Sequence, residues 1–260
     1  MVKKRFVFHF YLNEGWDRNY ANDLHFKCLS RYSHIFDEAK IVISVDPENE
    51  RFVNDVKKRF VECMNCGSLE FKVQGNDSYY EGGTFKREVV DHLADLDGLL
   101  FFGHNKGVAC LSTHGEYDED SLAVWICAMY FYNLEFVDEV EKKLCVDTVR
   151  SVYGTLLFHG DWFNNASHMF YSGTFYWLSP GRVLKWAQHI PQIYDREYAE
   201  FFPGDVFGSD ITYPLSSRCE LIFEANELYT HARDYEWGIG KNDDDRMRFK
   251  AFLKDITGHE

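Results

Sequence analysis

The sequence predicts an α/β fold with a mainly parallel sheet, helices on both faces and an elaborated second half. Two observations carry this. Over its first hundred residues the chain alternates short apolar blocks with segments of helical period, in the order strand, helix, strand, helix, strand, helix, strand. Each strand then ends in a polar cluster: NEG at 13–15, VDP at 45–47, GND at 75–77 and HNKG at 104–107. Parallel strands joined by right-handed crossovers bring those clusters to one edge, where open α/β sheets hold their ligands.

The elements follow in order. RFVFHFYL (5–12) is a short block of β-branched and aromatic residues bounded by a turn, the signature of a strand. Residues 22–36 place Leu24, Cys28, Leu29, Tyr32 and Ile35 at helical spacing. KIVISVD (40–46) is a second buried strand. Phe52, Val53, Val56, Phe60, Val61 and Met64 then form a helical face. LEFKVQ (69–74) alternates as a third strand, and Phe85, Val89, Val90, Leu93 and Leu96 line the next helix. The fourth strand, 99–103, leads directly into His104, Asn105, Lys106 and Gly107. Residues 121–149 form a long helical region containing Trp125 and Met129. Segments 153–158 and 169–179 read as strands, the latter broken by a glycine. Residues 179–190 read as a helix with Ser179 as N-cap and Pro180 in its first turn. No repeat or low-complexity linker divides the chain, so one Rossmann-type domain is expected over 1–260.

Composition narrows the function classes. At 45% hydrophobic and 17% aromatic over 260 residues, the chain is globular and can bury a large core. Its formal charge of −14, from 42 acids against 28 bases, opposes phosphate backbones, and no nucleic-acid partner is expected. Seven cysteines at scattered spacing fit a reducing, cytoplasmic compartment. The lone CxxC at Cys63 and Cys66 closes a helix and has no second ligand pair, so neither a zinc finger nor a thioredoxin motif is expected. No apolar run reaches the ~18 residues needed to cross a bilayer, so no transmembrane segment is expected; peripheral membrane association stays open. GxGxxG, Walker A and GxSxG motifs are absent, which removes dinucleotide binding of that type, P-loop phosphoryl transfer and the hydrolase elbow.

Three stretches in order, YYEGGTFKREVV (79–90), LLFFGHNKGV (99–108) and MFYSGTFYWLS (169–179), resemble a bacterial glycosyltransferase family of polysaccharide biosynthesis. The matching residues are Glu81, Thr84 and Phe85; His104, Lys106 and Gly107; Trp125, Met129 and Tyr130; and Ser172, Gly173, Phe175 and Trp177. The chain departs from the pattern at Asn105, where Thr is usual, and at Thr174-Phe175-Tyr176 in place of Asn-Phe-Trp.

The resemblance implies a GT-A-like fold whose first half (1–110) is nucleotide-binding and whose second (111–260) is acceptor-side. It also implies transfer of a sugar from a nucleotide-sugar donor to a glycan or lipid-linked acceptor. Donor contacts then fall to Lys106, Gly107, Asn13, Glu14, Asp46, Glu81 and Thr84, and acceptor or sugar contacts to Ser172, Gly173, Trp177 and Trp125. Members of that fold usually hold a divalent metal on the diphosphate through D-x-D at the fourth strand's end. Here Lys106 stands in that region, and its ammonium would neutralise the diphosphate directly. No tightly bound cofactor is expected, with Mg2+ or Mn2+ left open. The literal D-x-D, Asp95–Asp97, precedes the strand and reads as solvated helix-end acids. His104 would donate to a phosphate or a sugar hydroxyl, and Asp161 in HGDW (159–162) is the candidate base. Two alternatives stay in view: a non-catalytic binder with a degenerate site, and a phosphate-handling hydrolase using His104 and Asp161.

Overall fold

A computed structural model describes residues 2–105, 119–146, 152–154, 157–159, 169–171, 174–190, 195, 198–207, 212–214 and 243–258. Its centre is β1 (Lys4–Leu12), flanked by β2 (Glu38–Val45) on one side and β4 (Leu99–His104) on the other, all parallel. β3 (Ser68–Gly75) adds parallel to β2. Beyond β4 lie the short strands β8 (Tyr176–Leu178), β5 (Val152–Gly154) and β9 (Thr212–Pro214). The described sheet has seven strands in the order β3-β2-β1-β4-β8-β5-β9, and β8 runs antiparallel to both its neighbours. β6 (Leu157–His159) and β7 (Met169–Tyr171) form a separate antiparallel pair. The mainly parallel α/β sheet expected from the sequence is present.

Alternation along β1 explains the two layers. Phe6, Phe8, Phe10 and Leu12 point into one core, packed under α1 (Tyr20–Tyr32), α2 (Val53–Cys63), α4 (Glu119–Leu134) and α8 (Asp243–Thr257). Val7 points into the other, with Leu100 and Phe102 of β4, under α3 (Tyr80–Glu88) and α7 (Tyr198–Phe207). A central parallel strand is covered on both faces, which is why it is nearly uninterrupted in apolar residues.

Several helices differ from the periodic reading, each for a local reason. The segment after β2 begins as a 3-10 helix, Pro47–Phe52, before α2. α3 starts at Tyr80, ahead of the expected position, because Asp77 organises the turn: its carboxylate accepts from Tyr79 N (2.9 Å) and its carbonyl from Tyr80 N (3.3 Å). Gly82 and Gly83 within that helix hide it from a propensity reading. Past Glu88 the β-branched pair Val89-Val90 turns into a 3-10 segment, Val90–His92, so the helix expected to 96 is shorter. The long helical region breaks after Leu134, where Phe136 leaves helical geometry, and continues as α5 (Val137–Glu141) and a π turn, Lys142–Val146. The helix expected over 179–190 is α6 (Pro180–Val183) followed by a 3-10 segment, Leu184–His189. Ser179 caps it through its carbonyl, which accepts from Arg182 N at 2.9 Å, not through its side chain.

Gly98, immediately before β4, has φ 75°, and an added Cβ would collide with the Lys3 carbonyl, which already accepts from Leu99 N at 2.8 Å. Gly15 has the same φ with open space around it. Gly15→Ala should therefore cost only the left-handed backbone term, about 1 kcal/mol, while Gly98→Ala should cost more than about 2 kcal/mol as the β1–β4 register shifts. Urea unfolding of both variants checks the difference.

Candidate functional site

The carboxyl ends of β1 and β4 are joined by one side chain. Asn105, just past β4, accepts from Tyr11 N at 2.8 Å through Oδ1 and donates to Tyr11 O at 2.9 Å through Nδ2. Its amide thus copies a peptide group and extends the strand pairing. Nδ2 also donates to Asn22 Oδ1 (3.0 Å), and Asn22 in turn donates to Trp16 O at 3.0 Å. Strand ends and the first turns of α1 are locked together. Thr has a single hydroxyl proton and cannot donate to both Tyr11 O and Asn22 Oδ1 as Asn105 Nδ2 does, so the sequence departure at 105 has a structural role.

Fixing Tyr11 fixes the neighbouring strand end. Tyr11 Oη donates to Asp46 Oδ2 (3.1 Å), and burial together with the Asp46 carboxylate pushes the phenol up to about 12. The Tyr80 ring stands edge-on to Tyr11 at 6.4 Å. Tyr80 has φ 44°, a left-handed conformation that is rare for a bulky residue and that the Asp77 turn imposes. Arg87 completes the clamp with an ion pair to Asp77 at 2.9 Å.

Beneath this corner, on the α3 face, a polar layer replaces the apolar core. His9 and His104 are register partners on adjacent parallel strands and therefore share a face. His9 Nδ1 lies 2.8 Å from Thr84 Oγ1, which also accepts from Gln74 Nε2 at 3.1 Å. With that acceptor role filled by Gln74, the Thr84 hydroxyl proton can go to a neutral imidazole. Burial holds the His9 pKa down at about 3; Asp77 opposes this shift and Arg87 reinforces it. His104 Nδ1 stands 3.8 Å from Glu81 Oε1, with both side chains buried. That separation is an electrostatic contact, longer than a hydrogen bond.

The expected site residues are thus placed as follows. Asn13, Asp46, Glu81, Thr84 and His104 gather at the carboxyl ends of β1, β2 and β4 and the first turns of α3; Glu14 is exposed beside Asn13. Asn13 Oδ1 is buried with no hydrogen-bond partner among the described residues. Lys106, Gly107, Asp161, Ser172 and Gly173 lie outside the described residues. Two aromatic expectations are corrected. Trp177 is wholly buried, packed on Phe101 and Phe36, with Nε1 donating to Asn133 O at 2.9 Å, so it has no face for a sugar. Trp125 is 5% exposed in the same core and likewise offers none. Tyr176 is also core, with its hydroxyl donating to Ala199 O at 2.8 Å.

Reading motifs missed Tyr11, His9, Gln74, Tyr80 and the Asp77–Arg87 clamp. The signal for two of them was the polar alternation His9–Tyr11 inside an otherwise apolar strand. Thr174 explains the second departure. It is buried at φ 59°, its hydroxyl without a hydrogen-bond partner among the described residues. Asn adopts that conformation at little cost, whereas the β-branched Thr174 is strained in it.

The acids nearest to a D-x-D motif sit at the other end of the sheet. Asp97 is exposed and pairs with Arg5. A cavity of about 410 Å³ near them is lined by Arg5, Glu38, Lys40, Glu70, Glu88 and neighbours. Its buried acid Glu88 meets Lys40 at 2.9 Å as well as Lys72; burial raises its pKa, but the two ammonium groups outweigh that and hold it below the usual range. These charges answer one another.

No known family model and no curated protein matches the chain. Among solved structures, the chain is similar to a glucosyl-3-phosphoglycerate synthase from Mycobacterium tuberculosis in complex with uridine diphosphate. The identity is 12% and the TM-score 0.40, covering 100% of this chain and 81% of that one.

Two outcomes follow from the geometry. Thr174→Asn should raise stability by about 1 kcal/mol by relieving the left-handed strain, seen as a higher urea midpoint at unchanged slope. The unfolded His9 imidazole takes its proton near pH 6.5 and the folded one only near 3, so the unfolded chain binds more protons between those values. Stability conferred by neutral His9 is complete above pH 6.5 and is lost as pH falls through that window. His9→Gln should flatten the slope there by up to about 1.4 kcal/mol per pH unit; an unchanged slope would contradict the neutral, buried imidazole.

Proposed function

We propose that the chain is a glycosyltransferase that moves a sugar from a nucleotide-sugar donor to a glycan or lipid-linked acceptor in bacterial surface-polysaccharide assembly. The observation that carries this is the convergence of Asn13, Asp46, Glu81 and His104 at the carboxyl ends of three parallel strands, where such sheets bind ligands. The sequence resemblance supplies the chemistry. Asp46, steadied by Tyr11, and Asn13 suit the polar edge of a nucleoside. His104, with Glu81 beside it, suits a phosphate or sugar hydroxyl, because an imidazole N–H can donate to either. Lys106 is assigned to the diphosphate and Asp161 to proton abstraction from the acceptor.

The described strand-end residues do not fit a D-x-D metal site. Asn105 commits its oxygen to Tyr11 N, and Asp95–Asp97 lies at the amino end of β4. No step of this reading runs through a metal.

A calorimetric and thermal-shift screen of UDP, GDP, CMP and dTDP sugars, with and without manganese, tests the reading. One nucleotide should stabilise the protein saturably, and Lys106→Ala and Glu81→Gln should each weaken that binding about tenfold or more. Asp161→Asn should depress turnover and leave donor affinity nearly intact. Release of phosphate or nucleoside without an acceptor would favour the hydrolase alternative. Binding without turnover would favour a non-catalytic binder, and absence of any binding would overturn donor chemistry.

A further inference from the structure

We propose that β3 is a self-pairing edge, through which two copies of this chain join antiparallel about Phe71 into one continuous sheet. β3 ends the described sheet, and no described element pairs with its outer side. Its backbone phase is fixed on the inner side: Ser68 N donates to Asp37 O at 3.0 Å and Asn76 N to Val45 O at 3.0 Å. Peptide groups alternate along a strand. The even-numbered residues therefore serve β2, and Leu69, Phe71 and Val73 present their N–H and C=O outward.

That phase permits a two-fold axis at Phe71. Phe71 would exchange both hydrogen bonds with Phe71 of the second copy, and Leu69 with Val73 on each side, six bonds in all. Between them lie the non-hydrogen-bonded positions, where side chains approach most closely. There Glu70 faces Lys72 of the second copy, and Lys72 faces Glu70. SLEFKVQ (68–74) is thus complementary to its own reverse: polar to polar, Leu to Val, acid to base, Phe to Phe.

The surface around the edge is consistent with a covered state. Val73 is 42% exposed on a strand whose Leu69 and Phe71 pack against the core. Val61 is 61% exposed on α2, one turn beyond Lys57, whose ammonium lies over the Phe71 ring at 5.9 Å. Edge strands that avoid pairing are short, bulged or carry proline. β9, at the opposite end of the sheet, is short and ends in Pro214; β3 has eight residues and no proline. Glu70 lies 3.3 Å from Lys40 and Lys72 pairs with Glu88 within the chain, and both keep exposed side chains that meet their opposites in a second copy. This inference stands apart from the donor-binding reading, since the β3 edge holds none of the residues assigned to that site.

Sedimentation velocity and light scattering across a concentration series test it. The protein should run at twice 30.6 kDa. Glu70→Lys, at a residue whose side chain is 68% exposed, would set an introduced ammonium against Lys72 in both pairs and should weaken the dimer about tenfold or more. Val73→Pro leaves the bonds to β2 intact but removes an outward N–H on each copy, and should give monomers without any charge change. Lys72 also pairs with Glu88, so Lys72→Glu enters the test once its urea midpoint shows it folded. Mixed with Glu70→Lys it should then restore a heterodimer, because each lysine faces a glutamate. A monomer up to roughly 100 μM, a dimer indifferent to both Glu70→Lys and Val73→Pro, or a mixture that stays monomeric would overturn the proposal.

Discussion

The two hydrogen bonds between the Asn105 amide and the Tyr11 backbone set the geometry on which the rest of the candidate site depends. The β1–β4 ladder ends at the His9–His104 pair, and without a further tie the strand ends would diverge as the sheet twists. Asn105 closes that gap with a side chain of peptide shape. Tyr11 is thereby placed to reach Asp46, and Tyr80 packs against Tyr11. One buried amide, satisfied on both its oxygen and its nitrogen, orders the ends of three strands, and a half-satisfied one would be destabilising.

Below that tie, the α3 face of the sheet changes character along its length. Near the amino ends it holds charges that neutralise one another, with Glu88 between Lys40 and Lys72. The middle is apolar, with Val7, Leu100, Phe102 and Phe85. Towards the carboxyl ends it becomes polar, with His9, Thr84, Gln74, Glu81 and His104. The burial that keeps His9 neutral also strengthens every electrostatic contact near it. A ligand arriving there would meet groups already oriented by their neighbours. The strained Tyr80 belongs to the same arrangement, held by Asp77 and Arg87.

Much of the fold was legible because period and burial coincide. The strands of the first half read correctly to within a few residues, since parallel central strands are apolar blocks bounded by turns. What escaped was tertiary. The insertion of β8 antiparallel between β4 and β5 rests on pairing that no local pattern encodes. α3 begins ahead of its apolar period, because Asp77 starts a helix that two glycines mask. For the site, the clusters at strand ends were visible as sequence, whereas the aromatic assignments were not reliable. Trp177 and Trp125 have the composition of a sugar platform and the burial of a core. Asn105 and Thr174 read as departures from a pattern, and only backbone geometry separates their meanings: one extends a sheet, and the other bears strain.

The central claim is that ligand binds where the polar ends of β1, β2 and β4 meet α3. Amide hydrogen exchange with and without saturating nucleotide sugar tests it most directly, because it reports where protection falls as well as whether it occurs. The account predicts slowed exchange confined to residues 11–16, 45–49 and 76–84. Protection centred instead on the amino-end cavity, around residues 38–40 and 88–96, with the carboxyl ends unchanged, would contradict it.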